Sequence, residues 1–211
     1  MVCLSYRGYW TSLGRPSEKG IMLDAEAALQ WIAKRHADSY KDTEPPRPAV
    51  LLWGQSIGCG VATNLAAAHP PERLPEINGL ILETPFTSVR AMLETLYPQK
   101  WLPYRYLWPF LRNNLDSWTN LGVMADNYRR QGAVTPRIFI LEAGRDEIVP
   151  PQHGDMLQQR CEAVGLSVQK RIVSGALHNE STARMEGRKA VADFILREMK
   201  DFIDSRHSSG P

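Results

Sequence analysis

Ala49-Val50-Leu51-Leu52-Trp53-Gly54-Gln55-Ser56-Ile57-Gly58-Cys59 is the stretch whose reading decides the fold. Ala49 to Trp53 is a short, continuous apolar run, the pattern of a strand buried on both faces. Cys59 to His69 is rich in small residues and reads as a helix. Only a Gly-x-Ser-x-Gly turn separates the two, and a turn that tight lifts the Ser56 hydroxyl above the sheet. Gly54 and Gly58 are expected there because a Cβ at either would collide with neighbouring backbone. The helix that follows aims its N-terminal N–H groups at the place where an oxyanion would form. A surface Gly/Ser turn is the competing reading of the pentapeptide. The strand before it and the helix after it argue against that.

Outward from this turn, strands and helices alternate almost throughout, which predicts a mostly parallel sheet with helices on both faces. Met1 to Tyr6 reads as a short apolar strand and Arg7 to Pro16 as a loop. Ser17 caps a helix with Met22, Ala25, Leu29 and Ile32 at helical spacing. Tyr40 to Pro48 carries three prolines and cannot be helix interior. Strands are expected at Ile77 to Glu83, Ile138 to Glu142 and Ser167 to Val173, and a helix at Gln152 to Ala163. The last helix, Met185 to Asp204, places Val191, Ile195, Met199 and Phe202 on one stripe. Residues 205–211 read as a frayed, disordered tail, which leaves one domain over 1–204.

Composition excludes several classes. The 211 residues suit one α/β domain, and a net charge of +2 with interspersed signs gives no nucleic-acid footprint. Three cysteines are too few for a disulfide framework or a metal site, and Cys59 reads as a small buried hydrophobe. No apolar run approaches the roughly twenty residues that span a bilayer, and no signal peptide opens the chain, so the sequence as it stands reads as cytoplasmic.

One stretch breaks the alternation. Thr84 to Asn127 holds Tyr97, Trp101, Tyr104, Tyr106, Trp108, Phe110 and Trp118, and is far longer than a crossover helix needs. The functional reading is a cap, about residues 88–127, that lines an apolar acyl pocket or touches a membrane surface, with Arg105 and Arg112 beside the aromatics. The plain reading is a helical insertion packed on its own aromatics.

An elbow serine needs a base to take its proton and a carboxylate to orient that base. His178 follows the last strand in Gly175-Ala176-Leu177-His178-Asn179, and no other histidine holds such a position. His36 is near an exposed helix end, His69 reads as a helix C-terminal cation, His153 starts a helix, and His207 is in the tail. Asp146 follows the preceding strand in Gly144-Arg145-Asp146-Glu147-Ile148-Val149-Pro150, with Arg145 and Glu147 as solvated flanks. Glu83 is the alternative acid. Ser56, Asp146 and His178, each after its own strand and in that order, carry the α/β-hydrolase pattern.

Beyond these three, Tyr6-Arg7-Gly8-Tyr9, Ser12, Gly14, Pro16-Ser17-Glu18, Gly20 and Asp24-Ala25-Glu26-Ala27 resemble the bud-emergence type of α/β-hydrolase-domain proteins. Trp53-Gly54-Gln55-Ser56-Ile57-Gly58, Glu83-Thr84-Pro85-Phe86-Thr87-Ser88-Val89 and Leu141-Glu142-Ala143-Gly144-Arg145-Asp146 are similar to the same family's counterparts. Trp10 stands where the family usually has glycine. The resemblance implies an acyl hydrolase acting on esters, thioesters or amides, with Ser56 as nucleophile, Asp146 as acid and His178 as base. It implies no cofactor, and a small acyl substrate or an acylated protein as partner. Full-length relatives are membrane-associated.

The resemblance also implies an earlier part of the domain. A complete member opens with an anchor and three further strands, and the loop after the third donates one oxyanion N–H. This chain begins at what resembles the fourth strand and reads as N-terminally truncated, with the Ile57 N–H as the one remaining donor. Met1 to Tyr6 then either slides over to pair with Ala49 to Trp53 or stays unpaired with its apolar face exposed. A non-catalytic, partner- or membrane-binding remnant is therefore the second function carried forward.

Overall fold

The computed structural model describes residues 1–40, 46–97 and 113–207. Four strands, β1 (Val50–Gln55), β2 (Ile77–Glu83), β3 (Arg137–Ala143) and β4 (Val168–Val173), form one parallel sheet in the order β1-β2-β3-β4. Six helices accompany them: α1 (Glu18–Asp38), α2 (Ile57–Ala68), α3 (Val89–Leu96), α4 (Ser117–Arg130), α5 (Gln152–Ala163) and α6 (Met185–His207).

Parallel neighbours need crossovers, and here α2, α4 and α5 supply them on one face, while α6, which follows β4, covers the other. Alternate residues of each strand therefore enter different cores. Leu80, Leu82, Ile138 and Ile140 pack with α2, α4 and α5, with α1 laid against α2. Ile81, Phe139 and Leu141 face α6 through Val191 and Phe194. The rings of Phe139 and Phe194 stack at 5.2 Å. Burying both faces explains why the central strands are apolar runs rather than alternating ones.

Registers fix where the strands end. Gln55 pairs with Glu83, Glu83 with Leu141, and Ala143 with Val173. Because all four strands run the same way, the loops that follow them gather at one edge of the sheet, the usual ligand edge of an open parallel sheet.

Several expectations shift in detail. Ser17 does cap α1, its hydroxyl accepting the Gly20 N–H at 3.1 Å. The helix buries Ile21, Ala25 and Leu29, so Ile21 rather than Met22 starts the inward stripe. On α6 the buried positions are Val191, Phe194 and Glu198, while Met199 is 48% exposed. The helix also runs to His207, past the expected end at Asp204.

Met1 to Tyr6 is not a strand. Of the two arrangements open to it, the unpaired one is found. Met1, Val2 and Leu4 are exposed, and among the described residues β1 pairs only with β2. The segment is held over α1 instead. The Arg7 N–H and guanidinium bind the Asp24 carboxylate at 2.6–3.0 Å, and this guanidinium holds the Asp24 carboxyl below its ordinary range. The Tyr6 and Tyr9 carbonyls close turns with Tyr9 and Ser12, and the Ser12 hydroxyl returns to the Ser5 carbonyl. Backbone groups engaged in turns offer no regular ladder to β1. Trp10, the departure from the family's glycine, adopts a left-handed φ of 49° and is 93% exposed.

Much of the aromatic stretch, including Trp101, Tyr104, Arg105, Tyr106, Trp108, Phe110 and Arg112, lies outside the described residues. Its described ends are α3 and α4. Trp118 on α4 lies beneath the Arg160 guanidinium at 5.2 Å, and its main-chain N–H donates to the Thr87 carbonyl. Among the described residues no helix is long and apolar enough to cross a membrane.

Candidate active site

Ser56 stands between β1 and α2 with φ 51° and ψ −113°, strained backbone of the kind found at a nucleophile turn. Its N–H donates to the Glu83 carbonyl at 2.9 Å, and its side chain makes no cap hydrogen bond. The two flanking glycines differ in a way the sequence does not reveal. A Cβ on Gly54 would stand 2.2 Å from the Gly58 carbonyl oxygen, whereas one on Gly58 would meet nothing within 4 Å. The collision expected at Gly58 is therefore absent, since that residue points into open space. Gly60, two residues further along α2, is crowded as well, 2.7 Å from Leu115 Cβ once a Cβ is added. Ile57 opens α2, so its N–H is one of the first-turn donors that no intrahelical carbonyl can satisfy.

Asp146 and His178 come together. His178 Nδ1 lies 2.8 Å from Asp146 Oδ2 and 3.0 Å from Oδ1, with both side chains nearly enclosed. A carboxylate only accepts, so Nδ1 carries a proton, and in the neutral tautomer that this selects, Nε2 keeps the lone pair. Asp146 Oδ1 also accepts the Ile148 and Val149 N–H groups at 2.9 and 2.7 Å, which fixes the carboxylate plane. The loops themselves are joined, because the Arg145 N–H donates to the Ala176 carbonyl at 2.8 Å. Glu147, expected to be a solvated flank, accepts the His178 main-chain N–H at 2.9 Å. Its side chain anchors the backbone of His178, and no periodicity or spacing announces that.

Ser56 stands at the same sheet edge, but among the described residues no hydrogen bond joins its hydroxyl to His178. Glu83, the alternative acid, makes no hydrogen bond to a histidine among the described residues. It is 2% exposed, and its carboxylate is occupied by the Thr182 N–H and hydroxyl on one oxygen and by the Trp53 indole N–H on the other.

Of His36, His69, His153 and His178, only His178 bonds a carboxylate. His36 Nε2 donates to the Pro46 carbonyl at 2.6 Å. His69 is 4% exposed and donates from Nε2 to the Arg73 and Pro75 carbonyls, which holds the loop after α2. His153 Nδ1 accepts from the Thr87 hydroxyl at 3.0 Å, and burial lowers its pKa. Cys59 is fully buried, its thiol donating to the Gly54 and Glu83 carbonyls, and burial drives its pKa far above the ordinary thiol range. It packs as a small hydrophobe. Among the described residues no group of three His, Cys, Asp or Glu could hold a metal ion.

No family model matches the chain. Among curated proteins it is 35% identical over 157 residues to the lysophosphatidylserine lipase ABHD12 of Bos taurus, a match that covers 74% of this chain and 36% of that protein. It is 29% identical over 197 residues to an uncharacterized protein of Mycobacterium tuberculosis, covering 93% of this chain and 58% of the other. The chain thus spans well under two thirds of the length of these relatives. Among solved structures, the Pyrococcus furiosus esterase Pf2001 matches with TM-score 0.61 at 19% identity, over 92% of this chain and 68% of that one. A sugar hydrolase, YeeB, from Lactococcus lactis matches with TM-score 0.62 at 15% identity, over 90% and 73%. The fold is the α/β-hydrolase fold.

Proposed function

We propose that this α/β-hydrolase-fold chain is a serine acyl hydrolase of the bud-emergence type, with Ser56 as nucleophile, His178 as base and Asp146 as the orienting acid. The observation that carries the reading is the enclosed His178–Asp146 pair, 2.8 Å apart on the loops after β3 and β4, at the same sheet edge as a strained serine turn after β1. Ser56 Oγ attacks the acyl carbonyl carbon and its proton passes to His178 Nε2. The carbonyl oxygen becomes an oxyanion against the Ile57 N–H. Collapse breaks the bond to the leaving group, which departs with the proton from Nε2. Water then repeats the sequence on the acyl-serine, releasing the acid and restoring Ser56.

The bond cleaved is an ester, thioester or amide. Likeness to proteins named lysophosphatidylserine lipases favours the ester of a singly acylated lipid. An active-site fluorophosphonate tests the assignment. Covalent labelling that Ser56→Ala abolishes is the expected result. A folded chain that never labels overturns it and leaves the binding-module reading.

A further inference from the structure

We infer that Glu83 is a positioning residue that holds the serine turn and the histidine loop at a fixed separation. The inference rests on the serine-hydrolase reading above. Glu83 is the last residue of β2, between β1, which leads into Ser56, and β3, which leads into Asp146. Its main-chain carbonyl accepts the Ser56 N–H at 2.9 Å and the Cys59 thiol at 3.2 Å, which ties down the turn and the first turn of α2.

Its side chain reaches the other way. Oε1 accepts the Thr182 N–H at 3.1 Å and the Thr182 hydroxyl at 2.9 Å, four residues beyond His178. Oε2 accepts the Trp53 indole N–H at 3.1 Å, three residues before Ser56. One residue therefore touches both chain segments that must meet for proton transfer, yet among the described residues no hydrogen bond connects it to the His178 ring or to Asp146. It acts through them.

The chemistry calls for a carboxylate. Three donors converge on two acceptor oxygens in a site that is 2% exposed. An amide would supply one acceptor and turn an N–H₂ toward either Trp53 or Thr182, leaving a donor facing a donor. Thr182 is then the contact through which the loop is held, and its hydroxyl is the part that can be removed without deleting the main-chain bond.

Glu83→Gln, Thr182→Val and Thr182→Ser in the full chain test this with two readouts. The first is the fluorophosphonate labelling rate. Glu83→Gln and Thr182→Val are expected to slow it by about 10- to 100-fold, the scale set by a small misplacement of reacting groups. Thr182→Ser, which keeps the hydroxyl, stays near the wild-type rate. The second readout needs no catalysis. It is the downfield proton resonance of His178 Nδ1–H, assigned by its loss in His178→Gln. Glu83→Gln and Thr182→Val are expected to shift or broaden it, and Thr182→Ser to leave it in place. Wild-type rates and an unmoved resonance overturn the inference, as does a Thr182→Ser variant no better than Thr182→Val. If the wild type never labels, the serine-hydrolase reading fails by itself and the resonance alone decides for or against Glu83. Should Glu83→Gln fail to fold, the Thr182 pair carries the same comparison.

Discussion

Asp146 and His178 face each other at 2.8 Å, and the carboxylate's other oxygen is pinned by the Ile148 and Val149 N–H groups. This geometry makes Asp146→Asn a sharp test. The amide oxygen can still accept from Ile148 and Val149, so the loop keeps its shape. Its N–H₂ then faces His178 Nδ1 and forces the ring proton onto Nε2, where the proposed base has to accept one. Activity or labelling should fall by about 10³- to 10⁴-fold with the unfolding midpoint little changed. A fall of less than tenfold would remove Asp146 from the proposed triad.

Gly54 and Gly58 separate the two glycines of the elbow by cause. A Cβ at Gly54 drives into the Gly58 carbonyl at 2.2 Å, so Gly54→Ala has to move backbone and should destabilise strongly or prevent folding. Gly58 is helical and meets open space. Gly58→Ala should stabilise this chain by about 0.5–1 kcal/mol through the helix propensity of alanine. Denaturant midpoints of the two variants, read side by side, check both signs.

The alternation of apolar runs and helical stripes was enough to find β1 to β4 and α5, because burial on both faces writes itself into each strand. It was enough to nominate Ser56, Asp146 and His178, because the loops after parallel strands share an edge. The first segment differs from its sequence pattern for the opposite reason. Met1 to Tyr6 has a strand's composition, yet a strand exists only against a partner, and Arg7–Asp24 holds this one over α1 instead. Glu83 and Glu147 were invisible as anchors of the histidine loop, since their donors, Thr182, Trp53 and the His178 N–H, are distant in sequence or in the main chain. Gly54 and Gly58 look alike in sequence, and only the three-dimensional surroundings of each show that the first is crowded and the second is not.

Trp10 holds a left-handed φ of 49° with its side chain 93% exposed, so it occupies a glycine conformation without packing in return. Left-handed backbone disfavours a residue with a Cβ by roughly 1–2 kcal/mol. Trp10→Gly should therefore raise stability, by about 0.5–1 kcal/mol after the extra unfolded-state freedom of glycine is subtracted. Thermal or urea unfolding reads it directly. A loss of stability would mean that the indole packs in solution.

The three cysteines predict a simple labelling count. Cys3 is exposed, whereas Cys59 and Cys161 are buried. Burial pushes the Cys161 thiol up to about 12 and the Cys59 thiol further, so neither is a thiolate at neutral pH. Iodoacetamide should modify one site on the native chain and three after denaturation, read by intact mass. Rapid native modification at Cys59 would show that the serine turn opens.

His153 gives the fold a pH dependence whose sign the structure fixes. Burial lowers its pKa below the ordinary histidine value, and its Nδ1 accepts from the Thr87 hydroxyl at 3.0 Å and faces the Thr87 N–H at 3.4 Å. The ring is neutral in the fold, with its proton on Nε2 toward the Thr95 hydroxyl. An unfolded histidine takes up a proton near pH 6.5, before the folded one does, so the unfolded chain binds more protons in that window. The contribution is thus complete above about pH 6.5 and is lost as pH falls toward the lower folded pKa. His153→Asn places an oxygen where Nδ1 was and keeps an acceptor for Thr87, but cannot titrate. Denaturant midpoints from pH 8 to pH 5 should fall less steeply for this variant than for the wild type. Equal slopes would mean that His153 is free to protonate in the fold, and that its bond to Thr87, which places α3 beside the acid loop, is not maintained in solution.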